Sequence, residues 1–284
     1  MAVKKEVSVI VLTYNSENTI KRCLDSIFNQ TYKNFELIIL DDGSTDNTIK
    51  MINSYKDSRI KIYRNNKNLG IAKSRNVALS KCNSRLIFFT DSDCIVTANW
   101  LETGVKKIGN NDIITGWLLY ENEIPSFRDR AVWGKDMFYT SNLGFKKSSM
   151  DKVKGFDERF AMFTEDKDIC YRILKNGGKK VYCPDMIVIH QTRFRDYNSE
   201  WKDYKNYYQG KFYGEITHHK EGSISWRIIC PRDLIYIILP VLLIITRPFK
   251  YIHDFLLLPA TWVGMIRGRL ALWMTAIKER RFYI

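Results

Sequence analysis

Phe35-Glu36-Leu37-Ile38-Ile39-Leu40-Asp41-Asp42-Gly43-Ser44-Thr45-Asp46 is the stretch on which the fold turns. Phe35–Leu40 is an apolar run of strand length, and it stops abruptly at a cluster of turn-forming polar residues. Ile49, Ile52 and Tyr55 follow at helical spacing. A buried strand, a polar turn and a helix are therefore expected in that order. Upstream the same sequence of events occurs. Val7–Leu12 is a β-branched strand, and Ile20, Leu24, Ile27 and Phe28 mark a helix with Ser16 or Asn18 placed to cap it. Downstream, Ile60–Tyr63 reads as a strand, about Ile71 to Ser80 as a helix, and Leu86–Thr90 as a further strand.

Strand alternating with helix gives an open α/β fold with a mostly parallel sheet flanked by helices. Ligands of such sheets bind beyond the carboxyl ends of the strands. Asp41-Asp42 and Asp91-Ser92-Asp93 both come directly after apolar strands, so both acidic turns are expected on one edge. Further on, about Asp112 to Tyr120 reads as a strand. A helix carrying Ile169, Ile173 and Leu174 stops at Asn176-Gly177-Gly178. Val181–Tyr182 and Ile187–His190 read as two short extended segments. Beyond Gln191 the sequence becomes aromatic and basic, then strongly apolar past Lys220. Residues 1–220 are expected to form the catalytic domain and 221–284 a C-terminal apolar, basic helical appendage.

The chain has 284 residues, of which 45% are hydrophobic and 27% charged, so a full core can be buried and wholesale disorder is excluded. Its formal charge of +14 suits an anionic partner: nucleic acid, an anionic membrane surface or a phosphorylated substrate. Six scattered cysteines contain no C-x-x-C pair, which argues against a structural zinc site or disulfide framework and for a reducing compartment. The N-terminus runs straight into a strand without the apolar core of a signal peptide, so the catalytic part is expected in the cytoplasm.

Two carboxylates in a turn, as in Asp91-Ser92-Asp93, can hold a hard divalent cation that prefers oxygen ligands, or can be an ordinary surface turn. Asp41 and Asp42 could accept donors from a nucleotide base or ribose, or cap the following helix. Asp46 is read as such a cap. Tyr14, ending the first strand, could stack on a base, and Arg75 could meet a diphosphate. Thr164-Glu165-Asp166 opens a helix, where acidic residues are favoured in any case; a functional Asp166 would be a general base toward a hydroxyl.

Val7-Ser8-Val9-Ile10-Val11-Leu12-Thr13-Tyr14-Asn15, Asp41-Asp42-Gly43-Ser44-Thr45-Asp46 and Asp91-Ser92-Asp93 resemble family 2 glycosyltransferases of the GT-A fold. Asn68-x-Gly70 with Ala72-x-x-Arg75-Asn76, Gly155-Phe156-Asp157-Glu158 and Thr164-Glu165-Asp166 continue the resemblance in order, over roughly residues 7–190. It implies an inverting transferase that moves a sugar from a UDP- or GDP-sugar to an acceptor hydroxyl. On that basis Leu12, Tyr14, Asp41, Asp42, Gly70, Arg75 and Ser92 lie on the donor-nucleotide side. Asp91, Asp93 and His190 hold Mg²⁺ or Mn²⁺, Asp166 is the catalytic base, and Glu165 and Asn142 face the acceptor. Leu12 stands where the family often has proline. The processive Q-x-x-R-W motif is absent, which points to transfer of one sugar or a few. Specificity is expected in a pocket around Gly116–Gly144.

The apolar stretches Leu234–Thr246 and Phe255–Ile266 are short of the about 20 residues of a spanning helix. With Trp226, Trp262, Trp273 and neighbouring Lys and Arg residues, they suit interfacial or re-entrant helices on the cytoplasmic leaflet, the alternative being a pair of core helices packed on the catalytic domain. A lipid-linked saccharide in glycan assembly is then the expected acceptor. The competing readings fare worse. A nucleic-acid binder using the basic, aromatic 193–213 segment leaves the acidic turns unexplained, so no nucleic-acid partner is expected. A sugar-phosphate nucleotidyltransferase needs a glycine-rich basic loop after the first strand, and Thr13-Tyr14-Asn15-Ser16-Glu17 is not one. A non-catalytic scaffold would not need Asp93 and Asp166.

Overall fold

β1 (Val7–Thr13) and β2 (Phe35–Asp41) are buried almost throughout, as expected of strands covered on both faces. The structure is a computed structural model and describes residues 5–121, 138–160 and 164–191. The appendage expected over 221–284, and the basic segment before it, lie outside the described residues. The elements below belong to the unit spanning Met1–Arg159 and Glu165–Arg193.

α1 (Ile20–Phe28), α2 (Thr48–Asn53), β3 (Ile60–Arg64), α3 (Ile71–Ser80) and β4 (Leu86–Asp91) complete the first half. Then come β5 (Cys94–Val96), α4 (Trp100–Ile108), β6 (Ile113–Tyr120), β7 (Leu143–Lys146), α5 (Lys147–Lys152), α6 (Glu165–Lys175) and β8 (Lys180–His190). The strands make one eight-stranded sheet in the order β3-β2-β1-β4-β7-β6-β8-β5. β1, β2, β3 and β4 run parallel, as do β6 and β8. The antiparallel pairs are β4–β7, β6–β7 and β5–β8, each involving a strand that follows the regular first half.

Alternation along each strand feeds two cores. Val7, Val9, Val11 and Phe88 face α1 and α4, where Ile20, Leu24, Trp100 and Leu101 meet them. Ile10, Ile38, Ile87 and Phe89 face α3 and α6, represented by Ala72, Ala78, Ile169 and Ile173. Each fully buried aliphatic or aromatic side chain contributes about 1.5–3 kcal/mol, so this two-faced pattern fixes the register. Among the described residues, no helix is long and apolar enough to cross a membrane.

Three expectations change. α1 is not capped by the Ser16 or Asn18 side chain; the Ser16 carbonyl accepts from Thr19 and Ile20 N–H instead, and its hydroxyl turns elsewhere. The two segments expected over 181–190 are one strand whose pairing with β6 slips between Gly116 and Trp117. Most of the specificity pocket expected around Gly116–Gly144 lies outside the described residues, and its two end glycines are closely packed. A Cβ on Gly116 would sit 1.9 Å from the Met186 carbonyl, and one on Gly144 would sit 2.6 Å from Phe88. Asn142 is likewise no surface group. Its Oδ1 accepts from Trp100 Nε1 (2.8 Å) and its Nδ2 donates to the carbonyls of Trp117 and Met186 (2.9 Å each). A 1% exposed amide spent on three elements is a core clamp, not an acceptor-side residue.

Candidate functional site

β1 leads to β2 and β3 on one side, and the chain then returns to place β4 on the other. The crevice at this reversal is where open α/β sheets bind ligands. Register sets Thr13 beside Asp41 and Leu12 beside Asp91, so both acidic turns do share one edge. Leu12 itself is partly buried against the α3-side core.

The β2 turn is held from inside. Asp41 accepts from Ser44 N–H (3.1 Å), the Ser44 hydroxyl and Arg64 Nε (3.0 Å). Gly43 adopts φ +83°, and a Cβ there would press on the Lys67 backbone at 3.0 Å. Asp42 accepts through Oδ1 from Asn65 Nδ2, Leu69 N–H and Ser74 Oγ, and through Oδ2 from Gly70 N–H at 3.1 Å. It thereby fastens the loop before α3, in which Gly70 takes φ 87°. Any base contact from Asp42 must share Oδ2. Asp46 accepts from Thr48 N–H at the start of α2, as its helix-capping reading requires. Tyr14 stands 45% exposed at the mouth of the crevice. Ser92 points inward, with its hydroxyl 2.8 Å from that of Ser16 across the β1–β4 gap.

α3 brings in the second half of the site. Asn76 grips the Phe156 backbone from both sides, Nδ2 to the carbonyl (2.9 Å) and Oδ1 from the N–H (2.8 Å). Gly155 is required there, because a Cβ would meet Asn76 Oδ1 at 2.6 Å. Arg172 of α6 bonds the carbonyls of Val153 and Gly155 and pairs with Asp168. These contacts fix the first turn of α6 against Arg75. The Arg75 guanidinium is ion-paired to Glu165 and lies 3.4 Å from Asp91 Oδ1, with the Phe156 ring 5.7 Å away. It is therefore a bracket between carboxylates, not the open phosphate ligand expected from the sequence. Glu165 is buried, and its Oε2 has no hydrogen-bond partner among the described residues.

Arg75→Ala would strand a buried carboxylate. Breaking such a pair from one side costs about 3–5 kcal/mol. Urea unfolding should show a loss of that size, with Arg75→Lys recovering only part because an ammonium lacks the planar fork. An unchanged midpoint would mean Glu165 is solvated or protonated without Arg75.

The carboxyl of Asp166 is pushed up to about 7, first by loss of hydration, then by the Glu165 charge, against the pull of Arg75 and the Lys167 N–H. Asp91 is also raised, by desolvation first, with Asp93 and Glu165 adding to it and Arg75 and His190 opposing. Crowded carboxylates of this kind favour a cation.

Asp93 meets His190 through a pairing with no local sequence signal. β5 and β8 run antiparallel with Cys94 opposite His190, and Gln191 N–H donates to the Asp93 carbonyl at 2.7 Å. His190 Nδ1 lies 3.0 Å from the Gln191 carbonyl, which can only accept, so Nδ1 carries the hydrogen. Nε2 then faces Asp93 Oδ2 at 3.5 Å. A metal-binding imidazole is commonly oriented in this way, with its other N–H on a carbonyl. Asp93, Cys94 and His190 donor atoms all lie within 4.8 Å of one another. Sequence reading missed Cys94, whose thiol is held protonated by burial and by the neighbouring Asp91 and Asp93 charges. A carboxylate and an oriented imidazole fit a divalent cation, and the protonated thiol is not part of a hard-ion set.

The family described as Glycosyl transferase family 2 matches residues 8–172. The Escherichia coli UDP-Glc:alpha-D-GlcNAc-diphosphoundecaprenol beta-1,3-glucosyltransferase WfgD is 43% identical over 107 residues, covering 38% of this chain and 42% of that protein. The chain thus spans less than half the length of that relative. The mannosyltransferase PcManGT from Pyrobaculum calidifontis, solved with GDP-Man and Mn²⁺, superposes with a TM-score of 0.64 at 19% identity, covering 100% of this chain and 77% of that one. Staphylococcus aureus TarS 1-349, solved with UDP-GlcNAc, gives 0.58 at 17% identity over 98% and 93%.

Proposed function

The chain belongs to glycosyl transferase family 2 and has the GT-A fold, and from that premise we propose that it moves one sugar from a UDP- or GDP-sugar to an acceptor hydroxyl with inversion. The observation that carries this reading is the single rim on which Asp93 with His190 stands near the Asp91–Arg75–Glu165–Asp166 line. Inversion needs one displacement, hence one base and one leaving-group site, unlike the two closely spaced carboxyls of a retaining hydrolase.

Asp166 takes the proton from the attacking hydroxyl, and a carboxyl near 7 suits that task at neutral pH. Arg75 pairs with Glu165 and Asp91 and offsets part of the Glu165 charge felt by the base. Tyr14 offers its exposed ring to the nucleobase, with the Asp41–Asp42 turn as the floor of the base site. Asp93 and His190, with Asp91 beside them, would hold Mg²⁺ or Mn²⁺. Bound there, such an ion would neutralise charge on the departing nucleoside diphosphate.

The acceptor we propose is a lipid-linked saccharide in glycan assembly, delivered at the cytoplasmic membrane face. Support comes from the diphosphoundecaprenol-linked acceptor in the name of the E. coli relative. In this reading residues 1–220 are the catalytic domain and 221–284 meet the anionic leaflet. Incubating the full chain with UDP- and GDP-sugars, Mn²⁺ and a polyprenyl-diphosphate saccharide should release nucleoside diphosphate and lengthen the acceptor with one donor. Release from none of them, with the protein folded, would remove the assignment.

A further inference from the structure

We propose that Asp93, Cys94 and His190 form a thiophilic cation site, taking Zn²⁺-class ions, and that occupancy by such an ion shuts down the hard-cation site that shares two of its residues. The inhibitory part rests on the reading that Asp93 and His190 hold Mg²⁺ or Mn²⁺.

The donor set is a carboxylate oxygen, a thiol sulfur and an imidazole nitrogen. That is the chemistry of a tetrahedral zinc site rather than of an all-oxygen one. With metal–sulfur bonds of about 2.3 Å and metal–nitrogen or –oxygen bonds of about 2.0 Å, tetrahedral ligands stand about 3.3–3.6 Å apart. His190 Nε2 lies 3.5 Å from Asp93 Oδ2, and Cys94 Sγ lies 3.9 Å from the other oxygen, Oδ1. All three donor atoms fall within 4.8 Å of one another, so the set has to draw together to ligate one ion. The β5–β8 register sets Cys94 opposite His190, which brings the three ligands together on one strand pair. The Gln191 carbonyl orients the ring through Nδ1, so the nitrogen that would bind is the one facing the cluster. Entry is past His190, whose side chain is 22% exposed while Asp93 is 8%.

On binding, a sulfur–metal bond replaces the S–H bond of Cys94 and the proton leaves to solvent, with no change of oxidation state. Three protein ligands leave a tetrahedral ion one open position. A hard ion that bridges a diphosphate keeps several. The same residues would therefore offer a diphosphate several positions on one class of cation and a single position on the other.

The test uses the full chain with Zn²⁺ and Mn²⁺ as probes. X-ray absorption of the Zn²⁺-loaded parent should report one sulfur at about 2.3 Å. Zn²⁺ should displace Mn²⁺ from the parent, read as return of the free-ion paramagnetic resonance signal. Cys94→Ser should lose the sulfur shell and need about tenfold more Zn²⁺ or more for that displacement. A parent spectrum without sulfur overturns the proposal and does so whether or not the variant folds. A sulfur shell that survives in Cys94→Ser also overturns it, since another thiol is then the ligand. A sulfur shell in a parent that binds no Mn²⁺ upholds the thiophilic site and counts against the hard-cation reading instead.

Discussion

Asp166→Asn is expected to lower the transfer rate by about 10²–10⁴-fold, the range of a positioned general base, while donor binding persists. The asparagine keeps the shape at the start of α6 and can still accept from the Lys167 N–H, as Asp166 Oδ1 does at 2.8 Å. What it cannot do is take a proton. Donor-induced thermal stabilisation should therefore survive in the variant, and product formation should not. Loss of both together would show that Asp166 helps build the donor site, and the role of base would fall to another group.

The raised carboxyl adds a pH signature with a definite sign. Its proton must leave before the residue can act as base, so parent activity should climb with pH through about 7 and then level off. Stability runs the other way. Above the ordinary aspartate range the unfolded chain has released this proton while the folded chain still holds it, so folding weakens as pH rises, until about 7. Asp166→Asn removes that penalty. The variant should melt higher than the parent at pH 8, with the gap narrowing toward pH 5. A variant less stable than its parent at pH 8 would mean that the charged carboxylate is well solvated or compensated, and that the raised titration is wrong.

The first half of the fold was legible because β1, β2 and β4 are covered on both faces and so read as apolar runs. Phe35–Leu40 and Leu86–Thr90 end where their acidic turns begin, and both ends lie on the rim as expected. The second half lacked such signals. β5 has only three residues. α4 packs Gly104 against Phe88, where a Cβ would come within 2.4 Å, so a residue with no hydropathy marks a buried helix face. The site divides along the same line. Asp91 and Asp93 announce themselves as a turn after a strand. The meeting of Asp93 with His190 depends on β5 pairing with β8, nearly a hundred positions later, and nothing local encodes it. Arg75 was visible as a residue but not as a bracket, since its partners Asp91 and Glu165 come from β4 and α6. Asn142 stood among polar residues and gave no hint that its amide ties together Trp100, Trp117 and Met186.

Asp93→Ala is expected to abolish the metal-dependent part of donor binding. A ligand at about a hundred times its dissociation constant adds about 2.7 kcal/mol of stability, which for a domain of this size raises Tm by roughly 5–10 °C. The parent should show that rise with Mn²⁺ plus its nucleotide-sugar and much less with either alone. In the variant it should vanish. The loss would not reflect collapse of the strand pair, because the bond from Gln191 N–H goes to the Asp93 main-chain carbonyl and survives the substitution. Electrostatics point the same way, since the Asp93 charge helps push the Asp91 carboxyl up and its removal relieves that repulsion. A fall in Tm confined to the metal-loaded, donor-bound state therefore identifies a lost ligand, and an equal fall in the free protein identifies a lost fold. Full retention of the Mn²⁺-dependent rise in Asp93→Ala would move the cation to other residues and break the link drawn here between the β4 turn and His190.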